Sequence, residues 1–284
     1  DSGIASLEQV MARARSLRPR ATVPKSSGRQ SAAVGALAIS RLPLLDTVRG
    51  AAVVWMTAFH FTFDLNHFGF IQQDFYRDPV WTVQRTCILS LFLLCAGFGQ
   101  ALAVHAGQTW ARFWRRWAQI ALCALAVTAG SALMFANSWI YFGVLHGIAV
   151  MLLVCRATAG WGPWLWVLGA AAIGLGVFAG DLHAALSLPQ VLDSRAWNWL
   201  GLISRKPVTE DYVPLLPWLG VMWWGMALGQ WVLARGAVAP VLSDRVASAL
   251  SPLAWVGRWS LSWYMLHQPI LIGGLTLLVA LKAQ

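Results

Sequence analysis

The chain opens on some forty residues in which Arg, Ser, Ala and Pro recur without an apolar period. Beyond them, apolar stretches follow one another, separated by short polar turns. Seven of these approach the roughly 20 residues that a helix needs to cross about 30 Å of hydrocarbon. They cover 48–66, 82–104, 115–135, 139–155, 163–180, 214–233 and 256–281. The fourth is the shortest, and the fifth is rich in Gly and Ala over 169–176, which suits close helix–helix contact. The pattern predicts an all-α, polytopic transmembrane helix bundle of about seven helices over residues 41–284, without repeats or a soluble domain. Residues 1–40 read as a basic, disordered cytoplasmic tail.

Composition agrees. The 284 residues are 58% hydrophobic and 11% charged, against about 25% charged in a soluble domain. The 18 Trp suit the membrane–water interface, where indole rings collect. The net charge of +10 raises the question of nucleic acid. However, much of the excess lies in the first fifty residues and no nucleic-acid motif accompanies it. An anionic inner leaflet attracts such a tail without a specific site, so membrane lipids are the expected partner and nucleic acid is not. With the N-terminus inside, fifteen of the 21 Lys and Arg face the cytoplasm, the arrangement that the positive-inside rule favours. The expected location is the inner membrane, with multiple passes. Cys87, Cys95, Cys123 and Cys155 sit in apolar runs without metal-knuckle or disulfide spacing, and no metal is expected.

Ionisable residues at membrane depth are costly and mark functional sites by default. The first helix carries Arg49 at its cytoplasmic end, then His60 and Asp64. At 1.5 Å per residue His60 stands about 16 Å above Arg49, near mid-membrane. Asp64 is one turn further on the same face, where a carboxylate orients an imidazole; its alternative is a solvated place near the outer interface. His267 in the last helix and His146 in the fourth reach similar depths. Each is read either as lining a shared cavity or as a structural interhelical bond. Arg85 either snorkels outward or pairs with Asp64. His67, His105 and His183 read as interface or loop residues, and the aromatic stretch 218–231 as lipid-facing or packing surface. The Arg112, Arg115 and Arg116 cluster is either a topology signal or a phosphate site. Arg49 and Arg258, at the cytoplasmic ends of the helices that bear His60 and His267, are better placed for phosphate.

Four blocks carry a family resemblance: RLPLLDTVRGAAVVWMTAFHFTFDL, YFGVLHGIAV, DYVPLLPWLGVMWWG and GRWSLSWYMLHQPI. Together they resemble a bacterial inner-membrane family of the heparan-alpha-glucosaminide N-acetyltransferase catalytic-domain-like group. The resemblance implies a polytopic acyltransferase that draws acetyl-CoA from the cytoplasm and acylates an acceptor on or across the membrane. The wider clan carries an Arg or Lys, ten residues, then a catalytic His in its first helix, and Arg49 and His60 match that spacing. The lysosomal enzyme has more helices and a His-x-x-Trp-Asn-Gly context that this chain lacks.

The resulting expectation is an acyltransferase with acyl-CoA as donor and a hydroxyl or amine of a glycan or small-molecule acceptor. His60, oriented by Asp64, serves as base or acyl carrier. Arg49 and Arg258 hold phosphate, His146 and His267 line the cavity, and the acceptor passes Asp211 from outside. Two rivals use the same residues: a transporter or flippase with His and Asp in proton or substrate contact, and a b-type haem protein with paired axial His.

Overall fold

The computed structural model describes residues 42–236 and 248–282, which all belong to one compact unit, Ile39–Gln284; the tail predicted over 1–40 lies outside them. Among the described residues nine α-helices follow in order: α1 (Pro43–His67), α2 (Pro79–His105), α3 (Trp110–Met134), α4 (Val144–Ala157), α5 (Trp164–Val177), α6 (Ala179–Leu186), α7 (Leu215–Ala234), α8 (Ser251–Arg258) and α9 (Ser260–Lys282). Among the described residues there is no β-strand, only an isolated bridge between Phe142 and Tyr212.

Local chemistry sets the helix starts. Pro43 and Pro79 occupy the first turns of α1 and α2, where a missing N–H costs nothing. The Asp78 carboxylate accepts from the Val80 N–H at 2.8 Å, and the Thr109 hydroxyl caps α3, each satisfying an otherwise orphaned donor.

Each predicted apolar segment contains helix, but the count of seven membrane spans needs correction. Among the described residues three helices are long and apolar enough to cross: α2, α3 and α9. A fourth is added if α5 and α6, bent by 68° at their junction, form one broken or re-entrant span. The other helices fail for identifiable reasons. α1 is interrupted by Asp46, Arg49, His60, Asp64 and His67. α4 has 14 residues and so covers only about 21 Å. The apolar run of α7 is diluted by Trp218, Trp223, Trp224, Gln230 and Trp231. The segment expected as one helix over 256–281 breaks at Trp259 into α8 and α9. The fourth helix starts at Val144 rather than 139, because the preceding backbone is drawn into the bridge with Tyr212.

Without water to drive apolar surfaces together, helices in lipid associate through close packing and polar bonds. Both are visible. A Cβ added to Gly257 on α8 would strike the Asp46 carbonyl of α1 and stand 2.9 Å from the Gly50 nitrogen. Likewise, one added to Gly225 on α7 would stand 2.7 Å from the Leu94 Cα of α2. The main core forms where α2, α4, α5 and α7 meet, around the fully buried Leu93, Met151, Leu165, Met222 and Met226. Several indoles, assigned to the interface by composition alone, instead pin helices together. Trp55 donates to Gln84 at 3.0 Å, Trp117 to the Ala149 carbonyl at 2.9 Å and Trp263 to Thr57 at 2.9 Å. From the aromatic stretch 218–231, Trp223 donates to Thr158 and Trp224 to the Trp166 carbonyl, both at 3.0 Å.

The Gly50–Gly257 contact sets the spacing of α1 and α8, so filling it forces the backbones apart. Gly257→Val is expected to cost about 1–3 kcal/mol, the range for overpacking a tight site, read as a lowered thermal midpoint of the solubilised protein. Gly273→Val, with open space around its Cβ position, should stay within about 0.5 kcal/mol of the parent. Equal losses at both positions would contradict the packing argument.

Candidate active site

α1 supplies the axis of the site. Arg49 and His60 are eleven residues apart, close to three helical turns, so they share a face about 16 Å apart. Val53 and Met56, which are buried, and Asp64, only 3% exposed, lie on the same stripe. That stripe faces the bundle interior.

α9 runs beside it. The His60 and His267 rings have centroids 5.1 Å apart, tilted by 59°. His267 is 8% exposed, and its Nδ1 lies 2.8 Å from the Tyr264 carbonyl. A carbonyl oxygen can only accept, so Nδ1 carries the proton and Nε2 keeps its lone pair. That Nε2 is buried and has no hydrogen-bond partner among the described residues. Beside it, Gln268 Nε2 donates to Asp64 Oδ1 at 2.9 Å, leaving Asp64 Oδ2 and Gln268 Oε1 buried and unpartnered. Three orphaned acceptors thus sit within one turn of α1 and two consecutive positions of α9. Buried polar atoms are nearly always bonded, and unpaired ones are costly, so such a concentration makes this the candidate site.

The carboxylate does not orient the His60 ring as the sequence spacing implied; its bond goes across to Gln268. Nor does His146 join the pair. It lies in the first turn of α4, where Nδ1 accepts from the Gly143 N–H at 3.3 Å and Nε2 lies 3.0 Å from the Thr128 hydroxyl. That hydroxyl donates to the Ile140 carbonyl, so Nε2 is the donor and both ring nitrogens are used. Asp211 is bound up in the same region. Its Oδ2 accepts from the Val144 N–H at 2.7 Å, capping α4 from a distant loop, and burial pushes its carboxyl above the usual range. Ser138 and Glu210 hydrogen-bond beside it, and Thr209 donates to the Trp139 carbonyl at 2.9 Å. The loop before α7 is thereby tied to the start of α4. Arg85 forms no ion pair with Asp64, whose bond is to Gln268. His183 meets the Leu202 carbonyl, a loop contact.

At the other end of the α1 stripe lies a cleft of about 690 Å³ between α1, α2, α3, α4 and α8. Arg49, Arg116 and Arg258 all line it, with Trp255 and Trp259. Arg49 is steadied by Asp46, one turn back, at 3.0 Å, and Gly99 leaves room beside its guanidinium. Gln100 and Gln108 also line the cleft, each with one buried, unpartnered amide atom. Three guanidiniums, two exposed indoles and free amide groups match the phosphates, base and amides of a nucleotide-bearing molecule. The inner wall includes Ile148 and Leu152, which pack in one apolar cluster with Leu261, Tyr264 and Met265. The Tyr264 ring is 5.8 Å from that of His267. A second, open hollow of about 550 Å³ lies over the α1–α2 turn, lined by Asn66, Gly69 and residues 71–76.

Sequence reasoning passed over Gln100, Gln108 and Gln268, although the rule that flagged His60 applies equally to amides in apolar runs. Trp255 and Trp259 carried no local signal; the turn between α8 and α9 brings them to the cleft. Among the described residues no group of three or more His, Cys, Asp or Glu is set to hold a metal. Axial haem ligation by two imidazoles, with metal–nitrogen bonds of about 2 Å, needs ring centroids about 6 Å apart, more than the 5.1 Å between His60 and His267.

No match is found among curated proteins or among solved structures. The family model described as "Heparan-alpha-glucosaminide N-acetyltransferase, catalytic" matches residues 41–269, a range that takes in α1 to α8 and α9 as far as Pro269. Its bounds enclose the cleft, both histidines of the pair and the Asp64–Gln268 bond, and on that match the chain belongs to the heparan-alpha-glucosaminide N-acetyltransferase catalytic family.

Proposed function

We propose that the chain is an inner-membrane acetyltransferase, N-terminus in the cytoplasm, which moves an acetyl group from acetyl-CoA to an amine of a glycan acceptor. The observation that carries this reading is the α1 stripe, with an arginine cleft at one end and the His60–His267 pair at the other. The cleft takes the donor's phosphates on Arg49, Arg116 and Arg258 and its adenine against Trp255 or Trp259. The pantetheine arm follows the inner wall at Ile148 and Leu152 toward Tyr264, bringing the thioester to His60 and His267.

The favoured acceptor chemistry follows from the orphaned atoms. Asp64 Oδ2, His267 Nε2 and Gln268 Oε1 are all acceptors, and Asp64 as a carboxylate adds a negative charge. Such a set complements an amine, which offers several N–H donors, better than a hydroxyl, which offers one. The reaction then balances simply. The amine nitrogen attacks the thioester carbonyl as a proton passes to a histidine of the pair. The C–S bond breaks, and the thiolate takes up a proton to leave as CoA thiol. His267 is poised as the base because its tautomer is fixed. His60, opposite it, either shares that proton or carries the acetyl group transiently.

Two outcomes are expected. Acetyl-CoA should raise the thermal stability of the solubilised protein, by about 2.7 kcal/mol at a hundredfold excess over Kd, whereas ATP at matched ionic strength does so less. Arg49→Ala or Arg258→Ala should weaken that response. No response at millimolar acetyl-CoA would contradict the donor assignment. His60→Ala and His267→Ala should each lower acetyl transfer by about 10²–10⁴-fold, the usual range for loss of an acid–base group, while keeping the acetyl-CoA response. Unchanged transfer in both variants would sink the mechanism, and substrate movement without acetyl-CoA consumption would favour a transporter.

A further inference from the structure

The three arginines at the start of α3 divide between two surfaces. Arg116 lines the cleft; Arg112 and Arg115 do not, and both are exposed. Two aromatic residues stand with them. Trp110 is 56% and Trp114 47% exposed, their rings stacked at 6.3 Å. The Arg156 guanidinium lies 4.9 Å over the Trp110 ring and donates to the Gln108 carbonyl at 2.7 Å, which fixes that platform against the α2–α3 turn. The elements that carry this surface add no anionic group to it: from Pro79 to Gly180 the chain has no Asp or Glu. Among the described residues neither Arg112 nor Arg115 forms an ion pair.

The rest of α3 indicates what occupies it. α3 is long and apolar enough to span a membrane, yet little of it is buried. Its exposed stripe continues from Arg115 through Leu122, 66% exposed, and Leu125, 61% exposed, at the spacing of one helix face. Leu122 and Leu125 lie about 10 and 15 Å beyond Arg115. A soluble phosphate would use the cationic end and gain nothing from this stripe. A phospholipid uses both.

We propose that the N-terminal end of α3 is a binding surface for an anionic phospholipid. Arg112 and Arg115 hold the phosphate, Trp110 and Trp114 lie at the glycerol level, and the acyl chains run along Leu122 and Leu125. The occupant is distinct from the donor of the cleft, and this assignment holds whether or not acetyl-CoA is the donor.

The test is the thermal midpoint of the solubilised full chain, titrated with phosphatidylglycerol, phosphatidylcholine or inorganic phosphate. Phosphatidylglycerol should raise the midpoint, while phosphatidylcholine and phosphate leave it unchanged. A basic residue near an anionic lipid surface contributes about fivefold in affinity. R112Q/R115Q should therefore lose about 25-fold in apparent affinity for phosphatidylglycerol, and R112K/R115K should retain it. If the double glutamine variant does not fold, R112Q and R115Q singly should each lose about fivefold. Three results would overturn the proposal: equal responses to the two lipids, a phosphate response as large as the lipid's, or glutamine variants that keep the full phosphatidylglycerol response. The last would move the lipid to another basic segment, such as the first forty residues.

Discussion

Placing charged and titratable side chains on the inward face of α1 is the constraint that the rest of the bundle answers. Arg49, His60 and Asp64 fall on one stripe because they repeat at the helical period, and that stripe is turned away from lipid. Each then requires a polar neighbour. Asp46 serves Arg49 from the same helix, Gln268 serves Asp64 from α9, and His267 stands against His60. The Gly50–Gly257 contact lets α8 approach closely enough for Arg258 to share a cleft with Arg49. Without that contact the cationic cleft loses one wall.

Histidines of equal standing in the sequence end up in different states. His146 uses both ring nitrogens on Gly143 and Thr128, so it locks the start of α4 to α3. His267 uses one nitrogen on the carbonyl of its own helix and leaves the other bare. The number of ring nitrogens left without a partner separates them. By the same accounting Asp211 caps α4, and Asp64 and Gln268 are each left with one buried, unpartnered oxygen.

Much of this was legible beforehand because periodicity is local. The helical segments, the shared face of Arg49, His60 and Asp64, and the placing of Arg49 and Arg258 at corresponding ends of the segments that bear His60 and His267 all follow from spacing and run length. The spans were overcounted because run length ignores interruptions and helix ends: polar groups divide α1, and α4 has only 14 residues. Partner choice was not legible. Whether Asp64 turns to His60, Arg85 or Gln268 depends on how α9 crosses α1, a long-range contact that no spacing encodes. The arginine cluster at 112–116 divides for a simpler reason: Arg115 and Arg116 are adjacent, so they point about 100° apart around the helix, and of the three only Arg116 lines the cleft.

The proposed reaction requires the arginine cleft and the histidine pair to be two ends of a single donor path. Its most direct test is a cryo-EM map of the full chain in a lipid nanodisc with a non-transferable acetyl-CoA analogue. Phosphate density is expected against Arg49, Arg116 and Arg258, with the arm running past Leu152 and the acetyl-mimicking group between His60 and His267. An analogue bound with its phosphates elsewhere, or held in the cleft with its acyl end turned away from both histidines, would contradict it.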